Sequence, residues 1–582
     1  MVPLIELDHA GFEYAVPGGK TIPALRDISL KVEEGDYVAV IGANGSGKTT
    51  LARHFNALLV PTSGKVLVSG WDTRERANHQ NIRKAVGMVF QFPEDQIVAT
   101  VVEEDVAFGP ENLGLDPVEI RRRVDEALQE VGLWEQRLRP PHLLSAGQMQ
   151  RVALAGALAM RPRCIVFDET TAMLDPAGRR MVLDNMDRLH RNGMTILSIT
   201  HFMEEAARAD RVIVLSHGQI AMDGAPQQVF ADADLLAGLG LDLPPAAKIA
   251  RELRPYLPNL GGDLLTAERL IDALPPFSRS PEPFLNPSAP VEQDIPLNPA
   301  IIVNNLFHTY LSGTPLEYRA LNGISLQVNQ KSAFGIVGAT GSGKSTLLQH
   351  LNGLLLPQEG TVKIGPYDLN SPKVDVKAVR RLAGLVFQIP ETQLFEQYVG
   401  DEIAYGPRLM GVKENLREQV RWAMQLVGLD FEGYKDRLTF TLSGGERRKV
   451  ALASVLSMKP DILLLDEPAA GLDPAARREL LAKLKQMQSQ GITLVFSSHQ
   501  MEDMAVLADQ LTVVNNGRDV MSGSTRQIFS QSDRLKELGL EPPIVTRVSD
   551  GMRKQGWPLS AGITTRAVLI EEVGQLMGDP IG

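Results

Sequence analysis

The stretch "GANGSGKTT" at residues 42–50 follows the apolar run "YVAVI", and "GATGSGKST" at residues 338–346 follows the apolar run "AFGIV". Both stretches fit the pattern G-x-x-x-x-G-K-[ST] between a predicted strand and a predicted helix, the context that a phosphate-binding loop requires. Glycines there let backbone N–H groups curl around phosphate oxygens, and the start of the helix adds a positive dipole. Chance gives two such matches at one repeat offset in fewer than about one chain in a thousand. The sequence therefore predicts two P-loop NTPase domains.

The two loops belong to a tandem repeat. Lys48 and Lys344 are 296 residues apart, and the acidic residues Asp168 and Asp466, far downstream of the loops, are 298 residues apart. An offset that drifts by only two residues over such a distance indicates a duplicated domain. We therefore interpret the chain as two copies of one domain.

Hydropathy patterning predicts the fold class of each copy. Short apolar runs such as "CIVFDE" and "TILSIT" alternate with longer stretches of helical period. This alternation predicts an α/β fold, in which parallel strands are joined by helices that cover both faces of the sheet. A Pro- and Ser-rich segment predicts an extended linker between the copies, and the matching tails "LGLDLPP" and "LGLEPP" predict small helical units. The predicted domains are 1–232 (first nucleotide-binding domain), 233–273 (its small C-terminal unit), 274–300 (linker), 301–531 (second nucleotide-binding domain) and 532–582 (its small C-terminal unit).

Composition restricts the classes of function. A net charge of −11 argues against sequence-independent nucleic-acid binding, which needs a basic surface. The single cysteine, Cys164, excludes intrachain disulfides and thiolate metal clusters, fits a reducing compartment, and lies in an apolar run where we expect it to be buried. The N-terminus shows no secretion signal, and no apolar run reaches about 18 residues. We therefore expect a chain that does not span a membrane by itself.

A pair of carboxylates follows an apolar run in each half. "CIVFDE" ends at Asp168 and Glu169, and "ILLLDE" ends at Asp466 and Glu467. The carboxyl ends of strands are where open α/β sheets bind ligands. The aspartates are suited to holding a Mg²⁺ shell, and the glutamates to orienting or deprotonating an attacking water. Such a pair alone is more often a solvated strand end, but each pair here lies at nearly the same distance after a phosphate-binding loop and at the same distance before "LDP".

Glutamines and histidines complete the series in matching order. Gln91 and Gln388 are neutral side chains that can contact both a metal ion and an attacking water, and His201 and His499 follow apolar strands, where they could contact a γ-phosphate. A single residue of either kind in such a place is usually structural. The order of the landmarks, repeated twice, supports the functional interpretation.

Taken together, these residues resemble the nucleotide-binding subunits of ABC transporters over essentially the whole of both halves. The matched elements are the phosphate loop, the glutamine loop, the signature "LSAGQ" or "LSGGE", the Asp-Glu pair, the "LDP" turn and the switch histidine. The resemblance implies ATP hydrolysis with Mg²⁺. It also implies, for each half, a mainly parallel core sheet, a small antiparallel β subdomain and a helical subdomain.

The resemblance implies that each ATP lies between the phosphate loop of one half and the signature of the other. A Ser hydroxyl, backbone N–H groups and a helix start at the signature would form a second anion site on the γ-phosphate. One predicted site combines Lys48, Gln91, Asp168, Glu169 and His201 with Ser443, Gly444 and Gly445. The other combines Lys344, Gln388, Asp466, Glu467 and His499 with Ser145, Ala146 and Gly147.

The resemblance also assigns the remaining ligand contacts. The predicted ATP-binding residues of the loops are Gly42, Asn44, Gly45, Ser46, Gly47, Lys48, Thr49 and Thr50, and Gly338, Thr340, Gly341, Ser342, Gly343, Lys344, Ser345 and Thr346. The predicted Mg²⁺ ligands are Thr49, Gln91, Asp168, Ser345, Gln388 and Asp466. Tyr14 and Tyr310 are candidates to stack on adenine, and an ordinary core or surface role is an equal alternative for both.

A narrower resemblance follows each glutamine. Segments 91–115 and 388–412 share Q-x-P-E-x-Q, an acidic pair and A-[FY]-G-P, and in this they resemble the ATPases of energy-coupling factor transporters. That group imports vitamins and transition-metal ions. The resemblance implies two fused ATPases on the cytoplasmic face of the cell membrane. It further implies a separate transmembrane subunit and a substrate-binding membrane subunit as partners.

Two other functions remain open at this point. Soluble twin-domain ABC proteins act on ribosomes or in DNA repair, but they typically carry a long charged linker or zinc modules, whereas this chain has a Pro-rich linker and one cysteine. The fused ATPases of sugar importers have usually lost catalytic residues in one half, whereas both halves here keep the Lys, Asp, Glu and His. Copurification with membrane proteins or with ribosomes would separate these alternatives.

The two halves differ at three positions near the predicted sites. Thr170 stands where the second half has Pro468, Met173 where it has Gly471, and Ala146 where it has Gly444. The extra methyl group of Ala146 costs little if the backbone φ there is negative, and more if it is positive. The sequence predicts two hydrolysis-competent sites of unequal strength, with the site built on Lys344 the weaker.

Overall fold

The computed structural model describes residues 2–16, 20–172, 174–277, 298–314, 316–389 and 393–578. Most of the predicted linker and Met173 therefore lie outside the described residues, as do residues 390–392 of the second glutamine-loop segment. The chain forms two compact units. The first unit consists of Met1–Arg251, Asn259–Leu270 and Asp473–Ala475, and the second of Glu252–Pro258, Ile271–Leu472 and Ala476–Gly582.

The first half of the chain contains ten strands and eleven α-helices within the described residues. The strands β1 to β10 are Ile5–Val16, Lys20–Val32, Tyr37–Ile41, Ser63–Val68, Trp71–Asp72, Val86–Val89, Cys164–Asp168, Thr195–Ile199, Arg211–Ser216 and Gln219–Gly224. The helices α1 to α11 are Lys48–Phe55, His79–Ala85, Val102–Asn112, Pro117–Glu130, Ala146–Ala159, Pro176–Arg191, Met203–Ala206, Pro226–Val229, Ala233–Gly238, Pro245–Leu253 and Ala267–Ala273.

The strands of the first unit form two sheets. The core sheet has the order β10-β9-β3-β8-β7-β6, with parallel pairing throughout except between β9 and β10. Every residue of β3, β7 and β8 is buried, as expected for parallel strands covered on both faces. A second sheet, of order β2-β1-β4-β5, is antiparallel. The helices α3, α4 and α5 pack on one another beside the core sheet.

The second half repeats this plan. Its strands β11 to β20 are Pro299–Tyr310, Tyr318–Asn329, Ala333–Val337, Glu359–Ile364, Tyr367–Asp368, Ala383–Val386, Ile462–Asp466, Thr493–Ser498, Gln510–Asn515 and Arg518–Ser524. Its helices α12 to α23 are Lys344–Leu351, Val376–Leu382, Val399–Leu409, Leu416–Leu426, Phe431–Tyr434, Gly444–Leu456, Pro474–Ser489, Met501–Leu507, Thr525–Phe529, Ser532–Glu537, Ile544–Lys554 and Arg566–Met577.

The sheets of the second unit match those of the first. The core sheet has the order β16-β17-β18-β13-β19-β20, and the antiparallel sheet the order β12-β11-β14-β15. The predicted fold class is confirmed, because each unit has a mainly parallel core sheet, a small antiparallel sheet and a helical subdomain. None of the helices in the described ranges could serve as a membrane span, since none combines the necessary length and hydropathy.

A buried histidine pair lies behind the second phosphate loop. His350, on α12, is fully buried, and its ring lies 4.8 Å from that of His308 on β11. Its Nδ1 donates to the Thr346 carbonyl at 2.8 Å. Burial is the main cause that lowers the pKa of His350 to about 4. In the first unit, the ring of Phe12 takes the place of His308 and packs on His54.

We expect this histidine to make the second unit acid-sensitive. Because the pKa of His350 is about 6.5 when unfolded and about 4 when folded, the unfolded chain takes up the proton first. The stabilisation is thus present above pH 6.5 and is lost as the pH falls towards 4. Between pH 7 and pH 5 the loss is about 2 kcal/mol. Thermal unfolding at both pH values measures it, and His350→Gln should reduce the pH dependence.

The exposed His142 provides the control for this prediction. His142→Gln should leave the pH dependence of unfolding as it is in the wild-type chain. If His350→Gln behaved like His142→Gln, His350 would be protonated within the fold, and the expected acid sensitivity would be wrong.

Candidate active sites

The first element of each site is the phosphate loop, which joins a buried strand to a helix. In the first unit it follows β3, and a Cβ added at Gly42 would overlap the Leu215 carbonyl oxygen. Gly47 caps α1 with φ of 104°, in the left-handed region that favours glycine. Gly338 and Gly343 meet the same demands in the second unit, where φ of Gly343 is 105°. The motif glycines are therefore required by the backbone path itself.

The loop lysines are buried and held by carbonyl groups of their own loops. Lys48 Nζ donates to the carbonyls of Gly42, at 2.9 Å, and Ala43, at 3.1 Å, and lies 3.8 Å from Glu169 Oε1. Burial lowers the pKa of Lys48, and the nearby carboxylates oppose this shift. Lys344 Nζ repeats the arrangement, with two loop carbonyls at 2.8 and 3.0 Å. Each ammonium group thus lies between its loop and the carboxylate pair.

The other predicted loop residues occupy matching places in the two units. Asn44 and Thr340 lie within the turn of each loop, and both Gly45 and Gly341 have positive φ, 77° and 79°. The side chains of Ser46 and Ser342 are buried under the loop, and neither hydroxyl has a hydrogen-bond partner among the described residues.

The aspartate of the first pair ends strand β7 and is buried. Thr49 Oγ1 donates to Asp168 Oδ1 at 3.3 Å, which places the two predicted Mg²⁺ ligands side by side. Burial, followed by the charge of Glu169, raises the pKa of Asp168 to about 6. Without a bound cation, this carboxylate is therefore held at a cost in free energy, which a divalent ion would relieve.

The second pair is supported differently. Ser497 Oγ donates to Asp466 Oδ1 at 2.6 Å and accepts from the backbone N–H of Glu467 at 3.0 Å. Ser345 also hydrogen-bonds Asp466. Burial raises the pKa of Asp466. In the first unit Ile199 lies at the position of Ser497, and its backbone carbonyl accepts from the N–H of Glu169. Sequence reasoning missed Ser497, because "FSSHQ" directs attention to the histidine alone.

Both candidate catalytic glutamates have a strained backbone conformation. Glu169 has φ of 50° and Glu467 has φ of 47°, a region that non-glycine residues rarely adopt. Such a residue costs on the order of 1–3 kcal/mol and persists where the surroundings over-determine it. The matching positions of the two units thus share the same unusual backbone conformation.

The predicted glutamines and histidines converge on these glutamates. Gln91 Nε2 donates to Glu169 Oε2 at 3.3 Å, and His201 Nδ1 lies 3.8 Å from the same oxygen. In the second unit, Gln388 Nε2 donates to Glu467 Oε2 at 3.3 Å, and His499 Nδ1 lies 2.9 Å from it. Each unit thus brings together the lysine, the carboxylate pair, the glutamine and the histidine that the sequence placed far apart.

The local charges keep the glutamates ionised. Burial alone would raise the pKa of Glu169, but His201 and Lys48 lower it further than burial raises it, so the net pKa lies below its ordinary value. The pKa of Glu467 is lowered in the same way by its histidine and lysine, with Arg448 as an additional cation. An ionised carboxylate in this place can accept a proton from water.

The donor set fits Mg²⁺. In the first unit it comprises a hydroxyl, a carboxylate and an amide side chain, from Thr49, Asp168 and Gln91, and Mg²⁺ prefers oxygen ligands. Within the described ranges, no group of three or more His, Cys, Asp and Glu side chains could hold a metal ion alone. This set suits an ion that keeps several waters and is held through one or two carboxylates together with substrate phosphates.

The candidate adenine-stacking tyrosines are joined to the phosphate loops. The Tyr14 hydroxyl lies 3.1 Å from Thr50 Oγ1, and the Tyr310 hydroxyl lies 3.2 Å from Thr346 Oγ1. In the second unit, Tyr318 adds a further phenol ring, whose hydroxyl donates to a loop carbonyl at 2.9 Å. The structure therefore fixes an aromatic ring beside each loop.

The signature turns begin helices α5 and α17. Ser145 caps α5 and Ser443 caps α17, and each forms a reciprocal capping box with the residue three positions on. Ala146 is the first residue of α5, and its φ is not positive. Gly444 is likewise outside the left-handed region, and a Cβ added there meets no atom within 4 Å. The alanine therefore introduces no backbone strain.

We expect exchange at these two positions to have small effects. Gly444→Ala should leave the unfolding midpoint within about 2 °C of the wild type, since the backbone accommodates a Cβ. It should slow ATP hydrolysis by at most about threefold, and Ala146→Gly should accelerate it to a similar extent. ATPase assays on chains with one active site measure both. A loss of more than about tenfold in Gly444→Ala would mean that the signature requires glycine itself.

Comparison with known proteins agrees with this geometry. The family described as ABC transporter matches residues 25–172 and 321–470, one segment in each half. The ATP-binding protein EcfA1 of the energy-coupling factor transporter of Symbiobacterium thermophilum is 59% identical over 252 residues, which are 43% of this chain and 88% of the relative. A provisionally named ABC transporter ATP-binding protein of Methanosarcina mazei is 32% identical over 579 residues, 96% of each chain.

Among solved structures, cbiO1 of Clostridium perfringens, part of the ABC transporter complex cbiONQ, is 32% identical and matches 44% of this chain and 97% of that one, with a TM-score of 0.38. The family match covers the phosphate loop and carboxylate pair of both halves, and the Methanosarcina relative is similar throughout. The chain belongs to the ABC transporter family, as an ATPase with two ATP-binding domains that couples ATP hydrolysis to transport.

Proposed function

We propose that this chain is the motor of a membrane importer of the energy-coupling factor type, and that it drives uptake of a micronutrient, a vitamin or a transition-metal ion. The similarity of slightly less than half of the chain to EcfA1 proteins, 50% identical over 273 residues in one case and 59% over 252 in another, supports the type of importer. The structural observation that carries the proposal is that both units hold a full set of hydrolytic side chains. Neither half has lost the lysine, the carboxylate pair, the glutamine or the histidine.

In the first site we propose that Lys48 binds the outer phosphates of ATP, and that Glu169 accepts a proton from the water that attacks the γ-phosphorus. Gln91 would orient this water, and His201 would contact the γ-phosphate and hold Glu169 in place. A bound Mg²⁺ would neutralise charge on the phosphates. Lys344, Glu467, Gln388 and His499 would act in the same way in the second site.

We propose that each ATP is shared between the phosphate loop of one half and the signature of the other. The capped helix starts at Ser145 and Ser443 offer a hydroxyl and backbone N–H groups suited to a γ-phosphate. ATP would then hold the two signatures against the two loops, and hydrolysis would release them. Repeated association and release of the two halves would supply the mechanical step of transport.

We propose that the membrane partner docks on the segment that follows each glutamine. In the first unit, Phe92, Val98 and Phe108 expose at least 40% of their surface, and Phe395 and Tyr398 do so in the second unit. Exposed apolar side chains grouped in this way are typical of an interaction surface. A transmembrane subunit that presents apolar cytoplasmic helices to this segment would receive the motion of the glutamine loop directly.

Affinity purification from native membranes tests the proposed function. The tagged chain is recovered from detergent-solubilised membranes of its source organism, and the associated proteins are identified by mass spectrometry. We expect an integral membrane coupling subunit and a small substrate-binding membrane protein. Recovery with ribosomes and without any integral membrane protein would overturn the importer proposal.

A cross-linking experiment tests the docking segment. Because Cys164 is fully buried, a cysteine introduced elsewhere can be labelled selectively in the wild-type background. Val98→Cys, on the proposed surface, should cross-link to the membrane subunit through a short bifunctional reagent. Lys65→Cys, on strand β4 of the antiparallel sheet, is the control and should not. Equal cross-linking of both variants would remove the docking segment from the proposal.

A further inference from the structure

Arg448 lies in the second turn of α17 and hydrogen-bonds three backbone carbonyls of the second unit. Its guanidinium donates to the carbonyls of Pro468, at 2.6 Å, and Ala470, at 2.7 Å, through Nη1. Through Nη2 it donates to the carbonyl of Gln388, at 3.1 Å. Pro468 directly follows the proposed general base Glu467, and Gln388 is the glutamine whose side chain contacts that base.

The first unit has a different arrangement at the matching position. Gln150 is buried there, and its Nε2 donates to the Phe90 carbonyl at 2.8 Å, one residue before Gln91. A glutamine amide carries one nitrogen, whereas a guanidinium presents several N–H donors in a fixed fork and keeps its positive charge. Gln150 therefore cannot bridge the loops in the way that Arg448 does.

We propose that Arg448 is a positioning residue for ATP hydrolysis at the site built on Lys344. It fixes the backbones that carry Gln388 and Glu467, so that the amide and the carboxylate stay in the geometry needed to activate water. This inference rests on the proposed catalytic roles of those two side chains.

The strained conformation of Glu467 is the feature on which this support acts. With φ of 47°, this residue needs surrounding contacts to keep it in place. Hydrogen bonds from a charged donor are stronger than those between neutral groups. Two of them bind the carbonyls one and three residues after Glu467, where the chain leaves the strained position.

Arg448 also links these loops to the signature. It lies on the helix that begins at Ser443, only five residues from the cap. A displacement of the signature helix is therefore transmitted through one side chain to the glutamine loop and to the residues after the base. The first unit lacks this guanidinium, so the linkage differs between the two sites.

Kinetics of substituted chains test the proposal. All variants carry Glu169→Gln, so that the Lys344 site provides the remaining hydrolysis. Arg448→Gln, which installs the residue of the first unit, should lower kcat by about tenfold, the loss expected when about 1.4 kcal/mol of transition-state stabilisation is removed. The dissociation constant for ATP should stay within about twofold, since the three carbonyls that Arg448 binds, those of Pro468, Ala470 and Gln388, lie outside the phosphate loop. Arg448→Lys, which keeps the charge and one donor group, should restore part of the rate.

Lys449→Gln is the matched control. Lys449 is the next residue of the same helix, and its ammonium pairs with Glu479 on α18, 3.3 Å away. Its loss should leave kcat unchanged. If the Glu169→Gln chain shows no measurable hydrolysis, the two substitutions are made in the wild-type chain instead. There Arg448→Gln must lower kcat and Lys449→Gln must not.

Two outcomes would overturn the inference: equal kcat values for Arg448→Gln and Lys449→Gln, or a weakened ATP affinity with unchanged kcat. Failure of the proposed catalytic roles would look different, because Glu467→Gln itself would then leave the rate of ATP hydrolysis unchanged. Thermal unfolding of each variant separates a loss of positioning from a loss of fold, and Arg448→Gln should unfold within a few degrees of the control.

Discussion

Glu467→Gln is expected to slow ATP hydrolysis at the Lys344 site by at least about a hundredfold while ATP still binds. The glutamate is ionised and lies within hydrogen-bond distance of Gln388 and His499. Glutamine has nearly the same shape and keeps these neighbours, but it cannot accept a proton from water. General-base catalysis contributes about 10²–10⁴ in rate, so its removal should dominate the kinetics.

Glu169→Gln should have a matching effect at the Lys48 site, and the double variant should hydrolyse almost no ATP. Phosphate release under saturating ATP measures the rates, and binding of a fluorescent ATP analogue confirms that the sites remain loaded. Glu479→Gln is the control and should retain the full rate. Glu479 is an exposed glutamate on α18 that pairs with Lys449 and Lys483. If Glu467→Gln had no effect, the Lys344 site would be silent, and the prediction of two competent sites would be wrong.

The fold follows closely from the sequence because its main signals are local. Buried strands such as β3 and β7 are continuous apolar runs, and the phosphate loops mark where a strand passes into a helix. Burial on both faces of a sheet demands the apolar runs, and the backbone path of the loops demands their glycines. The antiparallel sheets are harder to predict. Strand β1 changes register between Asp8 and Gly11, and this irregularity breaks the alternation of apolar and polar residues.

The convergence of the predicted side chains within each unit could be anticipated from the sequence. Parallel strands end at the same edge of a sheet, so Asp168 and His201, which follow neighbouring strands, had to lie close to the loop. The supporting contacts could not be anticipated. Arg448 binds three carbonyls, whereas its counterpart Gln150 binds one. This difference depends on how the helix after the signature packs on the glutamine loop and on the residues after the glutamate. Sequence patterns do not show how closely a helix approaches a loop.

The same limit applies to the electrostatics. Asp168 and Glu169 are adjacent acidic residues with opposite pKa shifts, one raised to about 6 and the other lowered. Burial affects both, but His201 and Lys48 approach the glutamate more closely than the aspartate. The opposite pKa shifts therefore arise from the three-dimensional placement of one histidine and one lysine, and they suit the proposed roles of a metal-binding and a proton-accepting carboxylate.

Lys48→Ala is expected to weaken ATP binding at the first site by at least about a hundredfold. The ammonium group is the buried cation between the loop carbonyls and the carboxylate pair, 3.8 Å from Glu169. Its removal deletes the contact proposed for the outer phosphates. It also leaves Asp168 and Glu169 as adjacent buried carboxylates without the lysine, which raises the pKa of both and repels a polyphosphate.

Lys344→Ala should repeat this loss at the second site, because its two carbonyl contacts and its carboxylate neighbour are the same. Titration with a fluorescent ATP analogue should show one tight site in each single variant and none in the double variant. Lys65→Ala removes an exposed lysine that pairs with Asp8 on the surface, and it should keep both sites. Two tight sites in Lys48→Ala would mean that phosphate is held by the loop backbone alone. The buried position of the lysine would then serve the stability of the carboxylate pair rather than nucleotide binding.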